Sequence, residues 1–317
     1  MTSNLRPRQW LKPATILLAP LFVAVAFTTG ATQVLAYLAV HPPRERLSQT
    51  PDQFGMTFEE VLFDTTDGIT LSGWFIPARG ARATVILGHG FTRSRQEMLD
   101  IAAMLNRNGY HVLLFDWRAH GKSGGERSTF GHTEILDLRA AVEFVVHRPE
   151  ADPERIGVLG KSMGAAIAIS GAAAIPQLKA VVSDSPYPSL EESIEIGVRR
   201  RGPLGVWPLR TIATALGIKA IGIDPDLVRP IDDIAEISPR PVLILHGGRD
   251  ELIPPDTGTQ LLEAAFEPKS LWYDRNASHV TLSAEQPDEY EKRIVQFFDT
   301  TLKPEKRQSA SHDLQEN

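Results

Sequence analysis

The sequence predicts an α/β protein. Its core is a mostly parallel central sheet with helices on both faces, with a small cap inserted late in the chain and an apolar N-terminal helix in front. Three observations predict this. Helical stretches alternate with short apolar strands from about residue 84 to residue 302, a pattern that builds parallel sheets covered on both faces. One strand, Arg155-Ile156-Gly157-Val158-Leu159, runs into Gly160-Lys161-Ser162-Met163-Gly164 and then into the small-residue helix that starts Ala165-Ala166-Ile167. No charged residue occurs from Pro13 to Val40, a run of 28 residues.

Taken in order, the N-terminal run would span about 42 Å as a helix, against about 30 Å of hydrocarbon in a bilayer. Arg6, Arg8 and Lys12 precede it. It is read as a membrane anchor over residues 1–40, with the catalytic domain on the extracytoplasmic side. The alternative is a cleaved signal peptide whose apolar region ends near Phe27, giving a secreted protein. Residues 41–53 carry Pro42 and Pro43 and read as a linker. Deleting residues 1 to about 45 is then expected to leave a soluble, active domain.

The domain proper covers 54–302. Phe58 to Phe63 and Ile69 to Ile76 alternate and form an antiparallel hairpin around Asp67-Gly68. Helices follow at about 96–108 and 133–147. Strands follow at 111–115, 156–159, 180–183, 242–245 and 270–274. The interval 186–239 is too long for a simple crossover and holds a core helix plus a cap. In it lie Arg199-Arg200-Arg201, read as a solvated basic turn beside a packed Trp207, or as a lid near lipid headgroups. Residues 303–317 are a polar tail. The sequence leaves the oligomeric state open.

Gly160-x-Ser162-x-Gly164 between a strand and a helix is a nucleophile elbow: a tight turn exposes the serine hydroxyl, and side chains at the glycines would clash across it. A serine hydroxyl needs a base, and the base needs an orienting acid. Downstream, Val242-Leu243-Ile244-Leu245-His246 is a buried strand, and Asp250 lies in the turn that leaves it, at the carboxyl end where open α/β sheets place their sites. His279 lies in the loop after the next strand. These three are the predicted catalytic residues, with Asp184, at the end of another strand, as the runner-up acid. The oxyanion donors are the backbone N–H groups of Met163, which follows the serine, and of Phe91, in the loop after strand 84–88. His89 precedes the serine and is read as shaping that loop.

Composition narrows the chemistry. A chain of 317 residues, 42% hydrophobic, can bury a sizeable core. A net charge of −6 argues against a nucleic-acid partner. Zero cysteines exclude disulfides, thiolate nucleophiles and cysteine-based zinc sites. The nine histidines show no paired metal-ligand spacing, so no metal is expected. Gly121-Lys122-Ser123 and Gly160-Lys161-Ser162 lack the first glycine of a P-loop, since Asp116 and Arg155 stand there. No cofactor is expected.

Together, the strand ending at His89-Gly90, the segment Phe115-Asp116-Trp117-Arg118-Ala119-His120-Gly121, the Ser162 elbow, Gly247-Gly248-Arg249-Asp250 and Ser278-His279 resemble the α/β-hydrolase superfamily. The chain is most similar to serine aminopeptidase S33-like and Bem46-like hydrolases over about residues 55–302. The resemblance implies His279 as general base and Asp250 as its acid. It also implies glycine where Ala119 stands, a departure that touches no catalytic group. The expected activity is that of a carboxylesterase on small or medium acyl esters. An aminopeptidase or amidase is the alternative, for which Glu191, Glu192 and Glu195 could hold a substrate amine. A non-catalytic binding module of the same fold is a third reading, but it would normally have lost a triad member.

Overall fold

Apolar strands that are buried on both faces pair in parallel, and helices must then cover each face. The computed structural model describes residues 13–200 and 202–303 and has this arrangement. Its elements are α1 (Pro13–Val40), β1 (Glu59–Asp64), β2 (Thr70–Ile76), β3 (Thr84–Gly88), α2 (Leu99–Arg107), β4 (His111–Phe115), α3 (Glu134–Val146), β5 (Ile156–Lys161), α4 (Met163–Ala174) and β6 (Leu178–Asp184). Next come α5 (Leu190–Arg199), α6 (Leu209–Ile221), α7 (Pro230–Asp233), β7 (Val242–Gly247), α8 (Thr257–Ala264), β8 (Lys269–Asp274), α9 (Leu282–Glu285) and α10 (Pro287–Leu302).

The eight strands lie in the order β1-β2-β4-β3-β5-β6-β7-β8. The hairpin strands β1 and β2 are antiparallel to their neighbours, and every other pairing is parallel. Strand alternation divides the core. In β4, Leu113 and Phe115 join α3, α4 and α8, whereas Val112 and Leu114 join α2 and α10 on the other face. Each fully buried Leu or Phe contributes roughly 1.5–3 kcal/mol. The edges are what place the chemistry: β3, β5, β6, β7 and β8 end side by side, and the loops leaving them converge.

The interval 186–239 divides in two. α7 packs on α4 as part of the body, while α5 and α6 pair as a helical hairpin above the strand ends. Trp207, expected to be packed, is 76% exposed beside an exposed Val206. Arg199 pairs with Glu195, and Arg201 lies outside the described residues.

The N-terminal segment departs most from expectation. Its helix is present, but among the described residues no helix is long and apolar enough to cross a membrane. Residues 1–12 and the tail 304–317 lie outside the described residues, as do the side chains of 13–21, 24, 25, 28, 203 and 204. The second half of α1 is not a separate element. Thr32, Ala36 and Val40, spaced four apart on one face, are buried, and α1 packs along α6. The Val40 carbonyl accepts the Ser128 N–H at 2.8 Å. The linker is fastened too: Arg44 donates to the carbonyls of His120, Gly121, Ser123 and Gly125 at 2.5–3.2 Å, and Glu45 accepts from the Ser94 hydroxyl. An independent domain beginning after residue 45 is therefore no longer the expectation. A chain starting at residue 46 should melt about 4 °C or more below the full chain in differential scanning fluorimetry, by loss of these bonds and of the helix packing. Equal melting points would show that the segment adds no stability.

Candidate active site

The site is built on the turn after β5. Ser162 adopts φ 51°, ψ −114°, a conformation that a non-glycine residue holds only under constraint. The constraint is local. The Ser162 N–H donates to the Asp184 carbonyl at 2.8 Å, and its own carbonyl accepts from Ala165 and Ala166 as α4 begins. The glycines are needed for close approach: a Cβ on Gly164 would lie 2.4 Å from the Gly88 carbonyl oxygen, and one on Gly160 would lie 2.0 Å from that of Gly164.

The structure brings Ser162, His279 and Asp250 together from three separate loops. His279 Nε2 is 2.9 Å from Ser162 Oγ, and His279 Nδ1 is 2.6 Å from Asp250 Oδ2. An ionised carboxylate only accepts, so Nδ1 carries the proton, and the Nε2 lone pair is left to face the serine hydroxyl. Asp250 is buried, and its other oxygen accepts the Leu252 and Ile253 N–H groups, both at 2.8 Å. Two backbone donors thus fix the carboxylate and aim one oxygen at the imidazole. The His279 loop lies tight against the Asp250 turn, because a Cβ on Gly247 would meet the Ala277 carbonyl oxygen at 2.4 Å. The Ser185 hydroxyl, accepting the Val280 N–H at 3.2 Å, holds the loop from the β6 side.

Asp184, the runner-up acid, is fully buried on β6 and makes no hydrogen bond to His279. Its carboxylate accepts from the Ser185 hydroxyl at 3.1 Å, and burial pushes its pKa up. His246 is buried 3.8 Å from Asp250, and burial pushes its pKa down, so it offers the carboxylate no cation. His89 shapes its loop as expected. Its Nε2 accepts the Trp117 backbone N–H at 3.1 Å, which leaves Nδ1 as the donor to the Gly90 carbonyl at 2.7 Å. Burial pushes its pKa well down, so it stays neutral.

Phe91 and Met163 line the same cavity as Ser162 and His279, a space of about 420 Å³. The Phe91 N–H donates to no protein acceptor among the described residues. Met163 is the first residue of α4, where backbone N–H groups lack helical partners and the helix dipole is positive. Sequence reasoning missed what supports them. Glu97 accepts the Gly90 N–H at 2.8 Å and so holds the loop carrying Phe91. Its only signal was an acidic residue in the turn after that strand. Phe130, Tyr187, Ser193, Ile196 and Gly197 form further parts of the walls, and Arg93 and Arg200 also line them. Ser193 and Gly197, small residues four apart, were the readable clue in the cap. Glu191 and Glu192 are exposed, and Glu195 pairs with Arg199 and Arg210. None of these three glutamates lines the cavity. Ala119 has φ 62°, the left-handed backbone that explains why the related pattern carries glycine there.

Comparison with known proteins agrees with this architecture. Residues 79–221 match the family described as serine aminopeptidase, S33. Rv2307c of Mycobacterium tuberculosis (strain H37Rv) is 34% identical over 212 residues, which cover 66% of this chain and 68% of that protein. The chain belongs to the α/β-hydrolase superfamily. Another similar protein is YfhR of Escherichia coli (strain K12), 29% identical over 255 residues that cover 78% of this chain and 82% of YfhR. Among solved structures, the Pyrococcus furiosus esterase Pf2001 superposes with a TM-score of 0.71 at 32% identity, over 83% of this chain and all of that one. Superfamily membership and fold together make this chain a hydrolase.

Proposed function

We propose that the chain is a serine carboxylesterase acting on small or medium acyl esters. The observation that carries this is the relay Ser162–His279–Asp250, with bonds of 2.9 and 2.6 Å. Ser162 Oγ attacks the ester carbonyl while its proton passes to His279 Nε2, and Asp250 stabilises the imidazolium that forms. The oxyanion accepts from the Phe91 and Met163 amides. Collapse breaks the bond to the alcohol oxygen, which takes the proton from His279. Water, deprotonated in turn by His279, adds to the acyl carbon, the bond to Ser162 Oγ breaks as Oγ takes the proton back from His279, and the acid is released. No cofactor takes part.

Ester cleavage is favoured over aminopeptidase action by the cavity wall. An amine-holding site needs a free carboxylate, and Glu97, the one carboxylate lining the cavity among the described residues, is taken up by Gly90 and lies 3.8 Å from Arg93. The P. furiosus esterase, with its 32% identity, supports the same choice. A fluorophosphonate probe should label Ser162, located by peptide mass spectrometry, and a panel of p-nitrophenyl esters should be cleaved in preference to aminoacyl anilides. Cleavage of the anilides alone would overturn the esterase reading.

The membrane anchor is part of this proposal. It is supported by the absence of charge from Pro13 to Val40 and by the exposed apolar side chains Phe22, Phe27, Val34, Tyr37 and Leu38 of α1, which lie beside the stripe Thr32, Ala36 and Val40 packed on the body or beyond it. The protein should remain in the membrane fraction through high-salt and carbonate washing, because hydrophobic insertion is not screened by salt, and its first residues should be detectable by mass spectrometry. A mature protein that begins near Phe27 and is free of membranes would reject the anchor.

A further inference from the structure

A second cavity, of about 130 Å³, adjoins the catalytic one. Phe130, Ser193 and Gly197 line both, so these residues form the boundary between the two spaces. Its walls come from three helices: Leu35, Ala36 and Ala39 on α1, Ile194 and Val198 on α5, and Ala213 on α6. The lining is apolar almost throughout. The Ser193 hydroxyl is spent on the Ser189 carbonyl at 3.0 Å, which leaves Thr32 as the one side-chain hydroxyl on this wall without a partner among the described residues. A single hydroxyl does not hold a water, which needs two to four polar partners, so the space suits hydrocarbon. The junction is built to stay in place. Phe130 sits at φ 55°, its carbonyl accepting from the Tyr187 hydroxyl and its neighbours Thr129 and Gly131 donating to Glu134 at 2.7 and 2.8 Å. Its ring packs 5.0 Å from that of Phe91, the residue proposed to offer an oxyanion amide.

We infer that this second cavity takes the far end of a medium-chain acyl group whose carbonyl lies at Ser162, and that α1 supplies one wall of the acyl site. The inference rests on the proposed ester hydrolysis and names its substrate class. A cavity of this size matches the engineered 150 Å³ cavity that takes up benzene, so it holds about six carbons. The catalytic cavity between Ser162 and Phe130 holds the carbons nearest the carbonyl, so the acyl group is of medium length. The N-terminal helix is then part of the enzyme's specificity as well as its tether.

The test uses the full-length protein in lipid nanodiscs and a p-nitrophenyl ester series from acetate to dodecanoate. Ala39→Phe, which fills the cavity from α1, should lower kcat/KM for the decanoate relative to the acetate by roughly 10- to 100-fold. Ile194→Ala, which enlarges it, should shift the preferred chain to a longer one. A decanoate-to-acetate ratio unchanged in both variants would overturn the inference. A second arm does not depend on catalysis. Ser162→Ala protein irradiated with a diazirine-bearing decanoate should be cross-linked at residues 35–39 and 194–198. Cross-links confined to other segments would overturn the acyl site. Failure of the native enzyme to cleave any ester would overturn the esterase reading, while the cross-link map would still decide whether acyl chains occupy this cavity.

Discussion

Ser162→Ala is expected to lower ester hydrolysis by roughly 10⁴-fold or more and to abolish fluorophosphonate labelling. The size of the effect comes from geometry. The hydroxyl is the one group of the residue that faces His279, at 2.9 Å, and among the described residues no other hydroxyl hydrogen-bonds that nitrogen. The fold should be indifferent to the change. The strained backbone of the elbow is held by the Ser162 N–H on the Asp184 carbonyl and by close contacts at Gly160 and Gly164, and alanine keeps all of these. The melting point should therefore stay within about 2 °C of the native value. Substantial activity in a well-folded Ser162→Ala protein would reject the nucleophile.

Much of this site was legible in the sequence, because each of its parts carries a local signature. The elbow is a strand, a turn with two obligatory glycines and a helix, all contiguous. Asp250 and His279 sit in loops that leave apolar strands, and in an open α/β sheet such loops gather at one edge. The order of the three residues then restricts their roles. Contacts between distant segments were not legible. Arg44 lies 76 or more residues from the carbonyls it binds, and nothing in its neighbourhood marks it as a clamp. The burial of Thr32, Ala36 and Val40 was hidden for a different reason. A run that is apolar all round has no periodic stripe to announce which side meets protein, so the packing of α1 on α6 could not be read from hydropathy. The same uniformity concealed the wall that α1 gives to the second cavity. Ala119 shows the opposite limit: its departure from glycine was visible, and the left-handed φ of 62° gives it a physical meaning.

Asp250→Asn should reduce kcat by about 10³- to 10⁴-fold. The Asp250 carboxylate is held at one end by the Leu252 and Ile253 amides, and the carboxamide oxygen of asparagine can accept both bonds. The amino group then faces His279 Nδ1 and donates to it, which moves the imidazole proton to Nε2. That nitrogen can no longer accept from Ser162, so the base is lost while the fold and the spacing remain. Asp184→Asn is the matched control. The Asp184 carboxylate hydrogen-bonds neither His279 nor the Ser162 side chain, and burial already favours its neutral form, which asparagine resembles in charge and shape. Its cost should stay below about tenfold, within the range of a small positional disturbance. The comparison is made on kcat in single-turnover experiments, with circular dichroism to verify the fold of each variant. If Asp184→Asn instead produced the larger loss, the acid of the relay would lie on β6 and the hydrogen bond from His279 to Asp250 would be incidental to catalysis.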